Sequence, residues 1–201
     1  MAAPALEVYR RIVAPLGLWR TSFPLNDPDV HGPHAHGYLI DPPPEFGLPA
    51  ILDTTRLNPS WAWTAGAIIS TLDDVADFHR ALFTRRLLDP DQQRELMTTV
   101  PDGPGGEYGL GVLKLQTPCG PAWGHDGGMP SAVNTSLISP DGSRQVVLMV
   151  TRDANTWNEQ ILADYSAALL TAFCGQAPST AAARTLADTM ARILPSLQRP
   201  R

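Results

Sequence analysis

The chain has 201 residues, of which 43% are hydrophobic and 17% charged, and its net charge is −5. This composition suits one folded domain with an apolar core and excludes a wholly disordered protein. The acidic balance argues against a nucleic-acid partner, which needs a basic face, and no apolar run is long enough for a membrane span.

The N-terminal part of the chain predicts a helix followed by a long loop. Leu6, Tyr9 and Val13 recur at helical spacing, and this helix ends before Pro15–Leu18. The stretch up to about residue 59 is rich in Pro, Gly, Asp and His, which is typical of loops. Because loops of this length are either functional or disordered, the tryptophans that follow favour an ordered one.

Two helices are predicted next. Ser70 and Thr71 each stand three residues before an aspartate, which is the pattern of a helix N-terminus. The apolar face of this helix consists of Leu72, Val75, Ala76, His79, Leu82 and Phe83. Asp89 caps a second, shorter helix through Met97, with Pro90 in the favoured first position.

From Tyr108 the hydrophobic period changes to two, which predicts strands over residues 108–117, 122–124, 132–139 and 144–151. A further helix runs from Trp157 to Phe173 and is closed by Gly175. Strands followed by a covering helix predict an α+β domain with an antiparallel sheet. We expect residues 1–175 to form this domain and residues 176–201 to form a tail with a weak helix.

The segment Gly124-His125-Asp126-Gly127-Gly128 is the strongest candidate for a functional site. We place it where a strand ends and a turn begins. Glycines there allow a ligand to approach the backbone and leave N–H groups free to bind an anion, while His125 can donate a proton near neutral pH. The alternative is a glycine-rich hairpin that carries a surface histidine.

Three histidines, His31, His34 and His36, lie close together in the long loop. Their spacing would allow chelation, and a metal-dependent hydrolase that also uses His125 is the weakest hypothesis considered. No acidic or cysteine ligand stands at a recognisable distance from them. We therefore predict no metal and no cofactor, and expect these histidines to form hydrogen bonds with the backbone of their loop.

Aromatic residues and cysteines each allow two interpretations. Trp61, Trp63 and Trp123 form either a wall for a ligand or part of the core. Cys119 and Cys174 are either two buried thiols or a disulfide that ties the sheet to the covering helix. The residues alone leave both questions open.

Several segments, taken in order, resemble the penicillin-recognising serine hydrolases. More narrowly, the chain is similar to the secreted DD-carboxypeptidases and class C β-lactamase-like proteins of actinobacteria, from about Glu7 to Gly175. This resemblance implies a partial β-lactamase/DD-peptidase-like fold that lacks its N-terminal part. The segments that carry it are Pro15–Leu18 with Thr21, His34–Tyr38, Trp61 with Ala65–Ala67, Ser70, Thr71 and Asp74, Tyr108–Gly111, and Gly124–Gly128.

Members of this family are serine acyl-transfer enzymes with three motifs, Ser-x-x-Lys, Tyr-x-Asn, and Lys-Thr-Gly or His-x-Gly. The resemblance places the third motif on His125, Asp126 and Gly127. It implies that His125 and the strand edge hold the substrate carboxylate and that the N–H of Gly128 donates to the oxyanion. It also implies that Trp61 lines the acyl pocket and that Cys119 and Cys174 form a disulfide.

The first two motifs of the family are absent from the 201 residues. Lys114 is the only lysine and follows Gly111 by three residues, and no tyrosine or serine begins a Tyr-x-Asn or Ser-x-Asn motif. Asp126 and Gly128 stand where the carboxypeptidases have threonines, and Leu113 stands where they have an arginine. These departures make D-Ala-D-Ala specificity doubtful, and an ester or another amide is an equal candidate.

We therefore expect the C-terminal portion of a serine hydrolase that is inactive as given. Its full-length form would act on a small peptide, an ester or a β-lactam, and whether the chain itself is an enzyme stays open. The alternative is a non-catalytic binding or partner module derived from the same family. We expect a secreted or cell-envelope location for the full-length protein, and a cytoplasmic one if Met1 is the true start, since the chain shows no export signal.

Overall fold

The N-terminal segment is helical and longer than predicted. The computed structural model describes residues 4–42, 44–102, 106–153 and 157–193. Its first helix, α1 (Pro4–Val8), continues through a π-helical turn (Tyr9–Val13) into α2 (Ala14–Leu16). The helix ends at Gly17, whose φ of 69° reverses the chain and lets its N–H donate to Ala14.

The long loop that follows is ordered over its described residues. It contains a small antiparallel pair, β1 (Tyr38–Ile40) and β2 (Ile51–Asp53). Short 3-10 turns occupy Pro44–Phe46 and Pro59–Trp61. Asn58 caps the second of these turns, because its side chain accepts a hydrogen bond from the N–H of Ser60 at 3.0 Å.

Within the described residues, the main sheet has six antiparallel strands in sequential order, and every neighbour in the sheet is also a neighbour along the chain. This meander confirms the predicted antiparallel sheet and the α+β class. The strands are β3 (Val100–Pro101), β4 (Gly106–Tyr108), β5 (Leu113–Thr117), β6 (Gly120–Met129), β7 (Ala132–Ile138) and β8 (Gln145–Val150).

Two of the predicted strand boundaries are wrong. The single strand expected over residues 108–117 is two strands, because the chain turns at Gly111, which has a φ of 77°. The strand expected to end at Gly124 continues to Met129. A Cβ on Gly124 would lie 1.8 Å from the carbonyl oxygen of Ser136, so this glycine permits close pairing of β6 with β7 and marks no turn.

The part of the chain that the structure describes contains five further helices. The helix N-termini expected at Thr71 and Asp89 are confirmed by side-chain caps. Gly175 ends the long covering helix with a φ of 73°, as predicted. None of the described helices is both long and apolar enough to cross a membrane. The five are α3 (Trp63–Gly66), α4 (Leu72–Phe83), α5 (Pro90–Leu96), α6 (Glu159–Cys174) and α7 (Thr180–Ile193).

The sheet separates two apolar cores. Neighbouring residues of a strand point to opposite faces, so Leu137 joins the core under α6 and α7 while Ile138 joins the core under α4 and α5. The first core is much the larger, and the second is built from Phe83, Val112, Trp123 and Ile138. Helix α7, in the segment we expected to be a tail, contributes Leu186, Ala187 and Met190 to the larger core.

Cys119 and Cys174 form a disulfide, with an S–S distance of 2.07 Å. The bond joins the turn before β6 to the last residue of α6. It confirms the pairing that the family resemblance implied and decides against two free thiols.

Candidate active site

The second half of β6 has a free edge. β5 pairs with β6 only between Gly120 and Gly124, whereas β7 pairs with it as far as Met129. On the side of β5, residues 125–129 therefore have no partner strand in the part of the chain that the structure describes. Backbone N–H and C=O groups along such an edge are available to another chain or a ligand.

His125 is the first residue of this free edge, and both of its ring nitrogens are engaged. Nε2 lies 2.8 Å from the hydroxyl of Tyr108, and Nδ1 lies 2.5 Å from the backbone carbonyl of Asp126. Because a carbonyl only accepts, Nδ1 carries a proton, and in the neutral ring Nε2 accepts from Tyr108. Burial, together with the charges of Asp126 and Asp102, raises the pKa of Tyr108, so its hydroxyl stays a donor.

Asp126 belongs to the opposite face of the sheet. Its side chain is only 6% exposed, and it pairs in register with Thr135, which packs under α6. Burial raises the pKa of Asp126, and the nearby His125 opposes this effect. The structure therefore brings Asp126 behind His125, with Oδ1 3.6 Å from Nδ1, and does not place it beside His125 on one face.

Gly127 and Gly128 continue the free edge. They pair with Asn134 and Val133 of β7. A Cβ on Gly127 would lie 3.2 Å from the side-chain nitrogen of Asn134, which favours glycine at this position. The backbone of the predicted motif is thus extended rather than turned, and the hairpin turn follows it at Pro130 and Ser131.

His79 and Ser136 extend the polar region beneath His125. Nδ1 of His79, on α4, lies 2.5 Å from Oγ of Ser136, which is the cross-strand partner of His125. Burial, and to a smaller extent the charge of His125, lowers the pKa of His79 to about 4, so its ring is neutral near pH 7. Sequence reasoning counted His79 as part of an apolar face; a titratable residue in the middle of such a face was the signal to notice.

Trp61 is 60% exposed and lies in the 3-10 turn before α3. This helix approaches the end of the free edge, since a Cβ on Gly66 would lie 3.5 Å from the sulfur of Met129. Trp63 is also exposed, whereas Trp123 is buried against Phe83. Two of the three tryptophans are therefore available to a ligand, and the aromatic-wall interpretation is wrong for Trp123.

The three loop histidines surround an open pocket of about 470 Å³. His34 bonds to the backbone carbonyl of Gly32, as expected, while His31 and His36 bond to Asp27 and Asp53 at 2.9 Å and 2.6 Å. Within residues 4–42, 44–102, 106–153 and 157–193, no group of three or more His, Cys, Asp or Glu residues is arranged to hold a metal ion.

Comparison with known proteins gives a consistent result. A family model described as Beta-lactamase matches residues 5–171. A D-stereospecific amidohydrolase from a Streptomyces species superposes with a TM-score of 0.73 at 31% identity, covering 86% of this chain and 49% of that one. A D-amino acid amidase from Ochrobactrum anthropi SV3, complexed with L-phenylalanine amide, gives a TM-score of 0.57 at 25% identity, with coverages of 72% and 42%.

A penicillin-binding protein from Bacillus halodurans shares the fold, with a TM-score of 0.53 at 21% identity over 75% of this chain and 45% of that chain. The chain therefore spans about half the length of the solved structures it matches.

Proposed function

The chain belongs to the beta-lactamase family, and from this premise we propose that it is the substrate-holding part of a serine amidohydrolase. Membership confirms the resemblance to the penicillin-recognising serine hydrolases, as does the shared fold. The nucleophilic serine and its lysine would come from sequence outside these 201 residues, since Ser-x-x-Lys does not occur among them. The chain alone would then perform no acyl transfer.

The free edge of β6 is the observation that carries this proposal. The amide groups of a substrate can form hydrogen bonds along residues 125–129, because these residues have no partner strand on the side of β5 in the described chain. His125 stands at one end of this edge, and Gly66 of α3 approaches Met129 at its other end. The edge thus offers backbone hydrogen bonds and one titratable ring, and we propose that the exposed Trp61, in the turn before α3, lines the pocket for the acyl group.

In the proposed reaction the N–H of Gly128 donates to the oxygen of the attacked carbonyl. Negative charge develops on this oxygen in the transition state, and a preorganised donor is worth about 3 to 4 kcal/mol there. His125 and Tyr108 form one hydrogen-bonded unit beside this position, and either can supply a proton or a hydrogen bond to the substrate. A serine outside these 201 residues would attack the carbonyl carbon and pass its proton to the leaving nitrogen, so that the amide C–N bond breaks, an acyl-serine ester forms and ammonia or an amine departs. Water would then hydrolyse the ester, release the acid and restore the serine hydroxyl.

We propose an amide of a D-amino acid as the substrate class. The Streptomyces structure at 31% identity is a D-stereospecific amidohydrolase, and the Ochrobactrum structure at 25% is a D-amino acid amidase. Asp126, Gly128 and Leu113 depart from the carboxypeptidase pattern, which also favours an amide other than a D-Ala-D-Ala peptide.

A second candidate function is a non-catalytic binding module. The absence of both Ser-x-x-Lys and Tyr-x-Asn from the chain favours it. Such a module would keep the free edge of β6 and bind an extended peptide without cleaving it. A location outside the cytoplasm is part of either proposal, and the disulfide between Cys119 and Cys174 supports it.

Activity measurements on two forms of the protein test the proposal. The purified 201-residue chain should not hydrolyse D-phenylalanine amide and should not be labelled by a fluorescent penicillin. The protein isolated from its own cells should be larger, carry a Ser-x-x-Lys motif, and prefer D- to L-phenylalanine amide. A native product of 21.7 kDa without activity would favour the binding module, and labelling of the isolated chain would contradict the missing nucleophile.

A further inference from the structure

Two pairs of polar residues lie back to back across β6 and β7. His125 pairs with Ser136 on the face of α4, and Asp126 pairs with Thr135 on the face of α6. Each pair receives a hydrogen-bonding side chain from the helix on its own side. His79 bonds to Ser136 at 2.5 Å, and the hydroxyl of Tyr165 bonds to Thr135 at 3.0 Å.

Asp126 is the member of this arrangement whose side chain has an oxygen without a hydrogen-bond partner among the described residues. Its side chain is 94% buried, and Oδ2 has no hydrogen-bond partner among the described residues. A buried carboxyl oxygen without a hydrogen-bond partner destabilises a fold by about 1 to 3 kcal/mol, and an apolar side chain would avoid that cost. The location of this carboxyl directly behind His125 suggests what it does.

The two parts of Asp126 approach the same ring nitrogen. Its backbone carbonyl accepts the proton of Nδ1 of His125 at 2.5 Å, and its Oδ1 lies 3.6 Å from the same atom. Nε2 is thereby directed to the hydroxyl of Tyr108, at the start of the free edge. Carboxylates behind a histidine commonly fix which nitrogen carries the proton and compensate the charge when the ring becomes protonated.

We propose that Asp126 is a positioning residue for His125, whose carboxyl group and backbone carbonyl together keep the Nδ1–H form of the ring and provide the counter-charge when Nε2 takes up a proton. The inference rests on the proposed function for its meaning, since His125 matters only if the free edge holds substrate.

Other titratable groups around the pair leave this role to Asp126. Burial raises the pKa of the Tyr108 hydroxyl on β4, and it raises the pKa of the Tyr165 hydroxyl on α6 to about 12. The charge of Asp126 adds to the increase in both cases. His79 from α4 has a pKa lowered to about 4 by burial, so its ring is uncharged near pH 7. Asp102 acts on Tyr108.

A titration of the Asp126 carboxyl carbon by NMR, in the wild-type chain and in His125→Gln, tests the coupling. We expect the pKa of Asp126 to lie above 3.8 in the wild type and to rise further in His125→Gln, because the attraction of the ring is removed. His79→Gln is the matched control: it removes a neighbouring buried histidine and should leave the titration of Asp126 in place. An Asp126 titration that is the same in all three proteins overturns the proposal.

A second measurement needs no variant and covers the case in which His125→Gln does not fold. Long-range ¹H–¹⁵N spectra of the wild-type chain at neutral pH should show the proton of His125 on Nδ1. A proton on Nε2 would overturn the proposal. Neither experiment requires turnover, so a negative result removes the role of Asp126 and leaves the amidase proposal standing. An inactive full-length protein would remove the amidase proposal and leave the coupling between Asp126 and His125 standing.

Discussion

The two faces of the main sheet are built for different purposes. The face under α6 and α7 carries a large apolar core in which Leu137, Leu169 and Phe173 are almost completely buried. The face under α4 and α5 has a small core, and beside it lie His79, Ser136 and His125. Since apolar burial is the main stabilising contribution in folded proteins, the first face supplies most of the stability and the second accommodates the site.

This difference explains where polar groups are tolerated. On the site face, His79 and Ser136 satisfy each other, and His125 is half-exposed. On the packed face, Oδ2 of Asp126 is buried without a hydrogen-bond partner among the described residues, as is Nε1 of Trp157 in the same core. Asp126 differs from Trp157 in its neighbour, since its Oδ1 lies 3.6 Å from Nδ1 of His125 on the other face.

Removal of the disulfide should have the largest effect on stability. Replacing Cys119 and Cys174 by alanine releases a constraint across 55 residues, which in the chain-entropy model corresponds to about 4 kcal/mol. Urea unfolding of the variant and the wild type measures the loss. A loss below about 1 kcal/mol would mean that the packed face is held without its covalent link.

Truncating one side chain on each face compares how much the two faces contribute to the free energy of unfolding. Leu169→Ala on α6 should lower the free energy of unfolding by about 3 to 4 kcal/mol, because Leu169 is fully buried. Met149→Ala is the matched change on the site face, where Met149 is 39% exposed, and should cost about 1 kcal/mol or less. Equal losses in urea unfolding would contradict the asymmetry between the faces.

The site face should be sensitive to acid through His79. The pKa of His79 is about 4 in the folded chain against 6.5 for a free histidine, so between these values the unfolded chain binds a proton that the folded chain does not. Because of His79, the free energy of unfolding therefore decreases by about 3 kcal/mol as the pH falls from 6.5 toward 4. Unfolding of wild type and His79→Gln at several pH values measures this contribution, and identical pH profiles would count against it.

The smallest effect is expected at the hydroxyl of Tyr165. Tyr165→Phe removes the hydrogen bond to Thr135 and leaves the ring in the packed core, which should cost about 1 kcal/mol. The change also removes a hydroxyl group from the buried face near Asp126, on which the charge of Asp126 acts. Thermal unfolding compared with Tyr9→Phe, a tyrosine that is 50% exposed, gives the control.

The sequence predicted the class of fold and the elements well, because their signals are local. Helix caps at Thr71 and Asp89, and the glycine at Gly175, depend on residues a few positions apart. Gly124 was misread because glycine marks both turns and close strand pairing, and only the distance to Ser136 tells them apart.

The candidate site was predictable only in part. His125 was found from its glycine neighbours, but Tyr108, His79 and Ser136 come from three other elements of the chain. Their contacts with it follow from strand register and helix packing, which periodicity does not supply. The buried state of Asp126 likewise depends on α6, since a charged residue next to a histidine looks exposed in the sequence.

We propose that residues 125–129 form the edge that faces the substrate. Backbone ¹H–¹⁵N spectra of the isotope-labelled chain, recorded with increasing D-phenylalanine amide, measure binding at this edge residue by residue. We expect the largest shifts at the amides of His125, Gly127 and Gly128. Shifts confined to the pocket of the loop histidines, or no shifts at β6 at millimolar ligand, would contradict it.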